Sequence, residues 1–505
     1  MTIWFDVEDM VRYFRSGNRR ISGIQRVSFE VFRAAKALEA AGGPAIGFVR
    51  HGARVPSLIT VAWADLLADF GGDAPESAPR QVPDVDVPAV LTAAAMTRDR
   101  PHGVARRLAR GVADRLSPKV RRPLVLAAVM QIQAAVSLLR FGGAAAAYPV
   151  RRGAAASASM TKRLVRQLAD RPAAPTASAV LKGGAGSFAR LSQAGDTLLV
   201  LGAPWNRERY SDLARWLRDE RRMRFGVLVH DLVPVRHPEW CHRGVPRMFR
   251  EWYADVLPFC DAVFANSRHT AADVEGWTRE SGIMLNGAVQ VLPIGSGFGT
   301  AVRETPGSPL PGLPAPGSYV LFVSTMEARK NHALLFRVWS LLLAAVAEGT
   351  RAAESVPDLV FAGRIGWLVA DLLAQLDNTK WLGGRIKFVA DPDDAELRAL
   401  YAGCLFTVFP SWHEGWGLPV TESLALGKPC LSSNAASLPE AGGSLCQYFD
   451  PGSVGSAHAA VAAVLDDRAG LAAWEAEVRA DFVPTAWTRT AGALLEVVAG
   501  FDGPT

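Results

Sequence analysis

Short apolar runs alternate along most of the chain with stretches whose apolar residues recur at helical spacing. In the first half the runs are Thr2–Val7, Ala45–Val49, Thr197–Leu201, Phe225–His230, Ala262–Ala265 and Val289–Ile294. The last three are nearly continuous in apolar residues, the mark of strands buried on both faces of a parallel sheet. Between the first two runs, the spacing over Ile24–Ala40 predicts a helix. The five prolines of Thr305–Gly317 (TPGSPLPGLPAPG) forbid a helix or a central strand, so this segment reads as a linker. A second series follows it: Tyr319–Ser324, Leu359–Ala362, Ile386–Val389, Leu405–Phe409, Cys430–Ser432 and Leu445–Phe449. The pattern predicts an α/β protein of two doubly wound, Rossmann-like domains. Their expected limits are residues 1–304 and 318–482, with a final helix in 483–505 crossing back to the first domain. An Ala/Arg/Gly-rich stretch at about 73–189 breaks the first series and reads as a largely helical insertion.

Charge sharpens the picture of that insertion. The 505-residue chain carries a net charge of +6, yet residues 98–182 hold 17 Lys and Arg against Asp99, Asp114 and Asp170, an excess of 14. Such a local excess favours an anionic surface. Within it, Leu124–Leu139 is apolar apart from two Gln and a Ser and is flanked by arginines. Sixteen residues fall short of a membrane span, leaving an interfacial helix at an anionic membrane or a core helix with a basic solvated face. No aromatic interleaving or known module supports nucleic-acid binding. The five cysteines are scattered without metal-ligand spacing, as expected of buried thiols. The acidic start MTIWFDVEDM does not resemble a secretory signal, so the expected location is cytoplasmic, at most peripheral at the inner face of the plasma membrane.

Two constellations carry chemistry. In VLFVSTMEARKNHALLF (Val320–Phe336) a buried strand runs into Ser324 and Thr325, and a helix is expected from about Asn331. Arg329 and Lys330 then stand before a helix N-terminus at the carboxyl end of a strand, where a diphosphate is well placed. Taken alone, the pair reads more readily as two solvated charges in a turn. HEGWGLPVTESLALGKP (His413–Pro429) narrows the choice, placing Glu414 eight residues before Glu422 across a turn containing Gly415 and Gly417. Glycines there let backbone N–H groups approach an anion, and Pro419 suits the first turn of a helix. Glu422 falls one turn into that helix, placed to accept two neighbouring hydroxyls, as on a ribose.

Glu414-x7-Glu422 within EGWGLPVTE, preceded by Arg329–Lys330–Asn331, resembles the retaining GT-B glycosyltransferases of family 4. Further segments are similar in order: ISGIQRV (Ile21–Val27), VLVHDLVPVRHPEW (Val227–Trp240), FANSRHTAADV (Phe264–Val274), VQVLPIGSGF (Val289–Phe298) and FAGRIGW (Phe361–Trp367). The basic insertion has no counterpart in the resemblance. It implies two domains facing across a cleft and transfer of a hexose-type sugar from a GDP- or UDP-sugar to a glycan or lipid-linked acceptor, in surface polysaccharide biosynthesis. It implies that Arg329 and Lys330 grip the donor diphosphate and that Glu422 holds the ribose. Glu414, with the backbone from Gly415 through Trp416 and Gly417 to Leu418, would contact the transferred sugar and phosphates. Ser324, Thr325, Gly363 and Arg364 would border the donor. His230 would face the sugar from across the cleft with Asp231 beside it, and Gly23 and Arg26 would line the acceptor or phosphate loop. Neither a cofactor nor a bound metal is implied. The Asp391-x-Asp393 pair reads as a helix cap.

Two other classes of protein fit the sequence less well. A dinucleotide-dependent oxidoreductase would need a GxGxxG after its first strand, and Gly295, Gly297 and Gly299 lack that spacing and the helix. A catalytically inactive scaffold of the same fold at the membrane would have no use for Arg329, Lys330, Glu414 and Glu422.

Overall fold

The structure, a computed structural model, describes residues 1–15, 21, 23–52, 56–70, 188–207, 209–296 and 314–501. Nearly all of the expected insertion, including Leu124–Leu139, and the linker up to residue 313 lie outside the described residues.

Among the described residues the first sheet has the order β3-β2-β1-β4-β5-β6-β7. Its strands are β1 (Thr2–Asp6), β2 (Ala45–His51), β3 (Leu58–Val61), β4 (Thr197–Val200), β5 (Arg224–Val229), β6 (Ala262–Ala265) and β7 (Gln290–Val291). All pairings are parallel except β2 with β3. The apolar runs require cover on both faces, and the side chains divide accordingly. Ile3 and Phe5 enter one core with Phe32 and Phe48, while Trp4 enters the other with Phe188, Val200 and Val227. The helix Ile24–Ala40 packs Phe29, Val31 and Phe32 into the first of these cores.

The edge strands depart most from the pattern. β3 is antiparallel and only four residues long, too short for its alternation to be read. The Val289–Ile294 run pairs only over Gln290 and Val291, both exposed. Pro293 has no N–H to extend the ladder, and Leu292 and Ile294 are buried in the same core as Trp487.

The second sheet is wholly parallel, with the order β10-β9-β8-β11-β12-β13. Its strands are β8 (Tyr319–Val323), β9 (Asp358–Gly363), β10 (Ile386–Ala390), β11 (Thr407–Phe409), β12 (Cys430–Ser433) and β13 (Gln447–Phe449). The chain ends in the helix Trp487–Ala499, whose Trp487, Ala491, Leu494, Leu495 and Val498 complete the core of the first domain. Ser296 and Thr485 exchange hydrogen bonds where this segment meets the end of the first sheet, at 3.0 and 2.9 Å. Cys260, Cys404, Cys430 and Cys446 are buried, Cys241 is half-buried, and all five are free thiols. Among the described residues no helix is long and apolar enough to cross a membrane.

Candidate functional site

In the second sheet the strand order reverses between β8 and β11, so the connections leaving these strands diverge and open a crevice at their carboxyl ends. Both sequence constellations arrive there. Beyond β8, the chain passes so close to the end of β9 that a Cβ on Gly363 (φ +152°) would stand 2.1 Å from the Ser324 carbonyl oxygen. Ser324 turns its hydroxyl onto the Thr325 carbonyl at 2.9 Å. Arg329 and Lys330 occupy a single 3-10 turn, Ala328–Lys330. Asn331 follows in the left-handed region at φ 59° and caps the helix His332–Ala347. Its amide donates to the carbonyls of Pro410 and Pro451 at 3.2 and 3.1 Å, pinning the turn to the loop after β11.

That loop supplies the acid. Glu414 accepts from Lys330 Nζ at 2.6 Å and pairs with Arg329 at 2.8 Å. Arg329 also meets Glu327 at 2.8 Å and donates to the His413 carbonyl. Burial opposes ionisation of Glu414, but the adjacent guanidinium and ammonium outweigh it and hold the carboxyl down at about 2. Burial and repulsion from Arg329 pull Lys330 below the ordinary amine value, against the attraction of Glu414. Arg329 is raised, because Glu414, Glu327 and Asp231 overcome its burial. The result is a cluster of two half-buried cations on two buried carboxylates, with Lys330 also over the face of Phe409.

The turn then leads into a helix. Gly417 (φ +112°) precedes the helix Leu418–Ala425, which carries Pro419 in its first turn. Ser437 holds the turn by donating to the carbonyls of Glu414 and Trp416 at 2.8 and 2.9 Å. Glu422 is buried on this helix, with Tyr401 donating to one oxygen and Arg26 of the first domain to the other, both at 3.1 Å. Burial raises its pKa above the usual carboxylate value despite both partners.

The first domain closes over this arrangement. Gly23 (φ +55°) precedes the helix Ile24–Ala40, whose first turn carries Arg26 to Glu422. His230, at the end of β5, is buried, and its ring lies 2.7 Å from the Leu201 carbonyl; burial lowers its pKa. Its backbone carbonyl abuts the Gly415 backbone, and Thr270 lies 3.3 Å from the Gly415 carbonyl. Trp416 and Leu418 pack against the first domain's core. Two expected residues have other partners. Asp231 accepts from the Val233 N–H at 3.0 Å, within its own turn. Arg364 reaches Asp391 at 2.7 Å and the Tyr13 hydroxyl of the first domain at 3.0 Å. Asp393 forms a capping box with Glu396 on the helix Asp394–Gly403.

Two groups were not identified from sequence. Asp6, at the end of β1, is buried with His51 at 2.6 Å and the Tyr210 hydroxyl donating to it, beside a recess that Asp9, Arg12 and Arg207 also line. Burial would raise its pKa, but His51 and Tyr210 together bring it below the ordinary value. Its one signal was Asp6 at the end of the first apolar run. The second group, His269, Asp273 and His413, joins the two domains; its one signal was the four-residue spacing of His269 and Asp273 on a helix.

Residues 311–483 match the family model of "Glycosyl transferases group 1". The chain is 27% identical over 280 residues to the serotype-specific mannosyltransferase WbdA of Escherichia coli, covering 53% of this chain and 33% of that protein. It is 35% identical over 149 residues to the O-antigen chain mannosyltransferase B of Escherichia coli, covering 30% of this chain and 37% of that protein. A third relative is the GDP-mannose:cellobiosyl-diphosphopolyprenol alpha-mannosyltransferase of Komagataeibacter xylinus, at 30% over 119 residues, covering 24% of this chain and 28% of that protein. The chain thus spans about a third of the length of the curated relatives it matches.

Proposed function

We propose that this protein is a retaining GT-B glycosyltransferase of family 4 that moves mannose from a nucleoside diphosphate sugar, GDP-mannose first among candidates, to a glycan or lipid-linked acceptor in surface polysaccharide assembly. The observation that carries the reading is the Arg329–Lys330–Glu414 cluster at the switch point of the second sheet, next to the Gly415–Gly417 turn and Glu422. Two fixed cations at that point suit a diphosphate leaving group. The mannosyltransferase names of the relatives support mannose, and the GDP-mannose in the third relative's name supports guanine.

In this reading Arg329 and Lys330 hold the diphosphate and stabilise the charge that grows on it as the sugar–phosphate bond breaks. The departing phosphate oxygen takes the proton of the incoming hydroxyl on the same face, so configuration is retained. Glu422 accepts the ribose hydroxyls, with Gly363 and Arg364 bordering the base. Glu414 and the backbone from Gly415 to Leu418 meet the sugar and phosphates. His230 faces the sugar from the first domain with Asp231 beside it, and Gly23 and Arg26 lie on the acceptor side. The expected meeting of the basic insertion with an anionic membrane belongs to the same reading, because a lipid-linked acceptor would be presented there.

The test combines binding with turnover. A thermal-shift series with GDP, UDP, ADP and dTDP should show stabilisation by one nucleotide, about 2.7 kcal/mol at a hundred times its dissociation constant, and Glu422→Ala should abolish it. Sugar transfer by Lys330→Ala should fall by about 10²–10³, the cost of losing one charge-stabilising donor. Wild-type turnover in Lys330→Ala would overturn the reading.

A further inference from the structure

Between the two domains, on the cleft wall beside Glu414, three side chains converge for which the proposed transfer has no use. His269 and Asp273 stand four residues apart on one face of the helix Arg268–Glu280, whose N-terminus is capped by Ser267. His413 comes from the loop after β11 in the second domain. His269 Nε2 lies 3.3 Å from His413 Nε2, and Asp273 Oδ2 lies 3.6 Å from the first and 3.5 Å from the second. We propose that this trio is a binding site for a divalent transition-metal ion of the zinc type, joining the two domains.

The geometry carries the inference. An ion bound tetrahedrally by nitrogen and oxygen at about 2.0–2.1 Å sets its ligand atoms about 3.3–3.4 Å apart. The three observed separations of 3.3, 3.5 and 3.6 Å outline such a triangular face with almost no movement. Two imidazoles and one carboxylate suit zinc, cobalt or nickel rather than magnesium or calcium, which take oxygen ligands. Among the described residues, this is the group of histidine, cysteine and acidic side chains whose ligand atoms converge in this way.

A second observation points the same way. Asp273 Oδ2 is buried and faces both rings without forming a well-aligned hydrogen bond to either. A buried carboxylate oxygen aimed at two ring nitrogens is costly unless a cation or a proton lies between them. Arg236 also pairs with Asp273, at 3.5 Å, but through Oδ1, which leaves Oδ2 for the ion. Three protein ligands leave a fourth position for solvent. Because the ligands come from both domains and His413 adjoins Glu414, a bound ion would hold the closed cleft and fix the loop carrying the acid. The site is independent of the proposed transfer, and its failure would leave that reading untouched.

The test is titration of the metal-free protein with zinc and, in parallel, cobalt. Isothermal calorimetry should show one zinc per chain, cobalt should give the intense visible absorption of tetrahedral coordination, and zinc should raise the unfolding temperature. His269→Gln, a change at a half-exposed position that folding should tolerate, and the double variant His269→Gln/His413→Gln should each weaken zinc, the double variant by more than the roughly 10–100-fold that loss of an outer-shell partner costs. Absence of one-to-one binding, or unchanged affinity in the double variant, would overturn the proposal and leave a hydrogen-bonded His–His–Asp latch.

Discussion

Gly415 lies against the His230 backbone of the first domain, and Gly415→Ala tests directly whether that closed arrangement is the working one. A Cβ at this position would stand 1.7 Å from the His230 carbonyl oxygen and 2.8 Å from its carbon, whereas Cβ atoms essentially never come within 3.0 Å. Gly415 is not among the residues at positive φ, so alanine suits its backbone and the clash is purely one between domains. Both partners are main chain and neither can rotate away. Relief therefore demands that the domains part by at least the 1.3 Å separating 1.7 from 3.0 Å. That displacement breaks the neighbouring contacts across the cleft: Thr270 to Gly415 at 3.3 Å, His269 to His413 at 3.3 Å and Arg268 to Glu440 at 2.9 Å. At a net 0.5–1.5 kcal/mol each, the loss of these three amounts to about 1.5–4.5 kcal/mol of closure energy. Displacement of reacting groups by about 1 Å costs about 10²-fold in rate, so sugar transfer should fall by that order. Small-angle scattering should show a larger radius of gyration in the variant, while each domain keeps its secondary structure. A variant with wild-type turnover and an unchanged radius of gyration would refute the reasoning, because it would mean that the contact at His230 is absent from the active protein.

Two further predictions concern stability. His332 is fully buried between Phe322 and Phe361, ring centroids 4.4 and 4.8 Å away, with neither nitrogen hydrogen-bonded, and burial pushes its pKa down to about 3. The unfolded chain takes up this proton near 6.5 and the folded chain does not, so stability should fall as pH drops below 6.5, by about 2 kcal/mol at pH 5, levelling off only near 3. Denaturant titrations of His332→Leu should lack that component of the slope; an unchanged profile would count against a buried neutral imidazole. Gly363→Ala would place a methyl 2.1 Å from the Ser324 carbonyl at φ +152°, whereas at Gly23 (φ +55°) a Cβ meets nothing within 4 Å. Gly363→Ala should therefore cost about 3 kcal/mol or more and Gly23→Ala about 1 kcal/mol, read as the difference in their unfolding midpoints; equal losses would contradict the close passage of β8 and β9.

The parts of the fold set by local pattern were legible. The helix Ile24–Ala40 and the strand Ala262–Ala265 coincide with their expected limits, because a buried face imposes its period on neighbouring residues. Strand ends were less legible where pairing decides them, as at β7 and β3, whose extent depends on a partner far along the chain. The Arg329–Lys330 turn and the loop carrying Glu414 could be singled out from sequence because residue type and spacing alone place each at a strand end. What could not be read was partnership. Arg26 and Glu422 are 396 residues apart, His269 and His413 are 144 apart, and Asp6 meets His51 and Tyr210 across 45 and 204 residues. Only the sheet order and the docking of the domains bring these together, and neither leaves a local trace.

The partnership of Arg26 with Glu422 also bears on how a donor would enter. In the described arrangement Glu422 gives one oxygen to Tyr401 of its own domain and the other to Arg26 of the first domain, all within a buried contact. Tyr401 holds the carboxylate in place whether or not the domains are closed, whereas the Arg26 bond exists only when they are. Burial already pushes the Glu422 pKa upward, so the charged carboxylate depends on its donors. A ligand that took Arg26's place would have to offer hydroxyl donors of its own, which a ribose does and a bare phosphate does not. In the proposed reading the ion pair therefore stands in for the nucleoside, and donor entry exchanges an interdomain contact for ligand contacts. The guanidinium so released lies in the first turn of the helix that follows Gly23. Opening, entry and reclosure are then one linked equilibrium rather than three separate events, and the same bond that fastens the cleft selects for a ligand carrying vicinal hydroxyls.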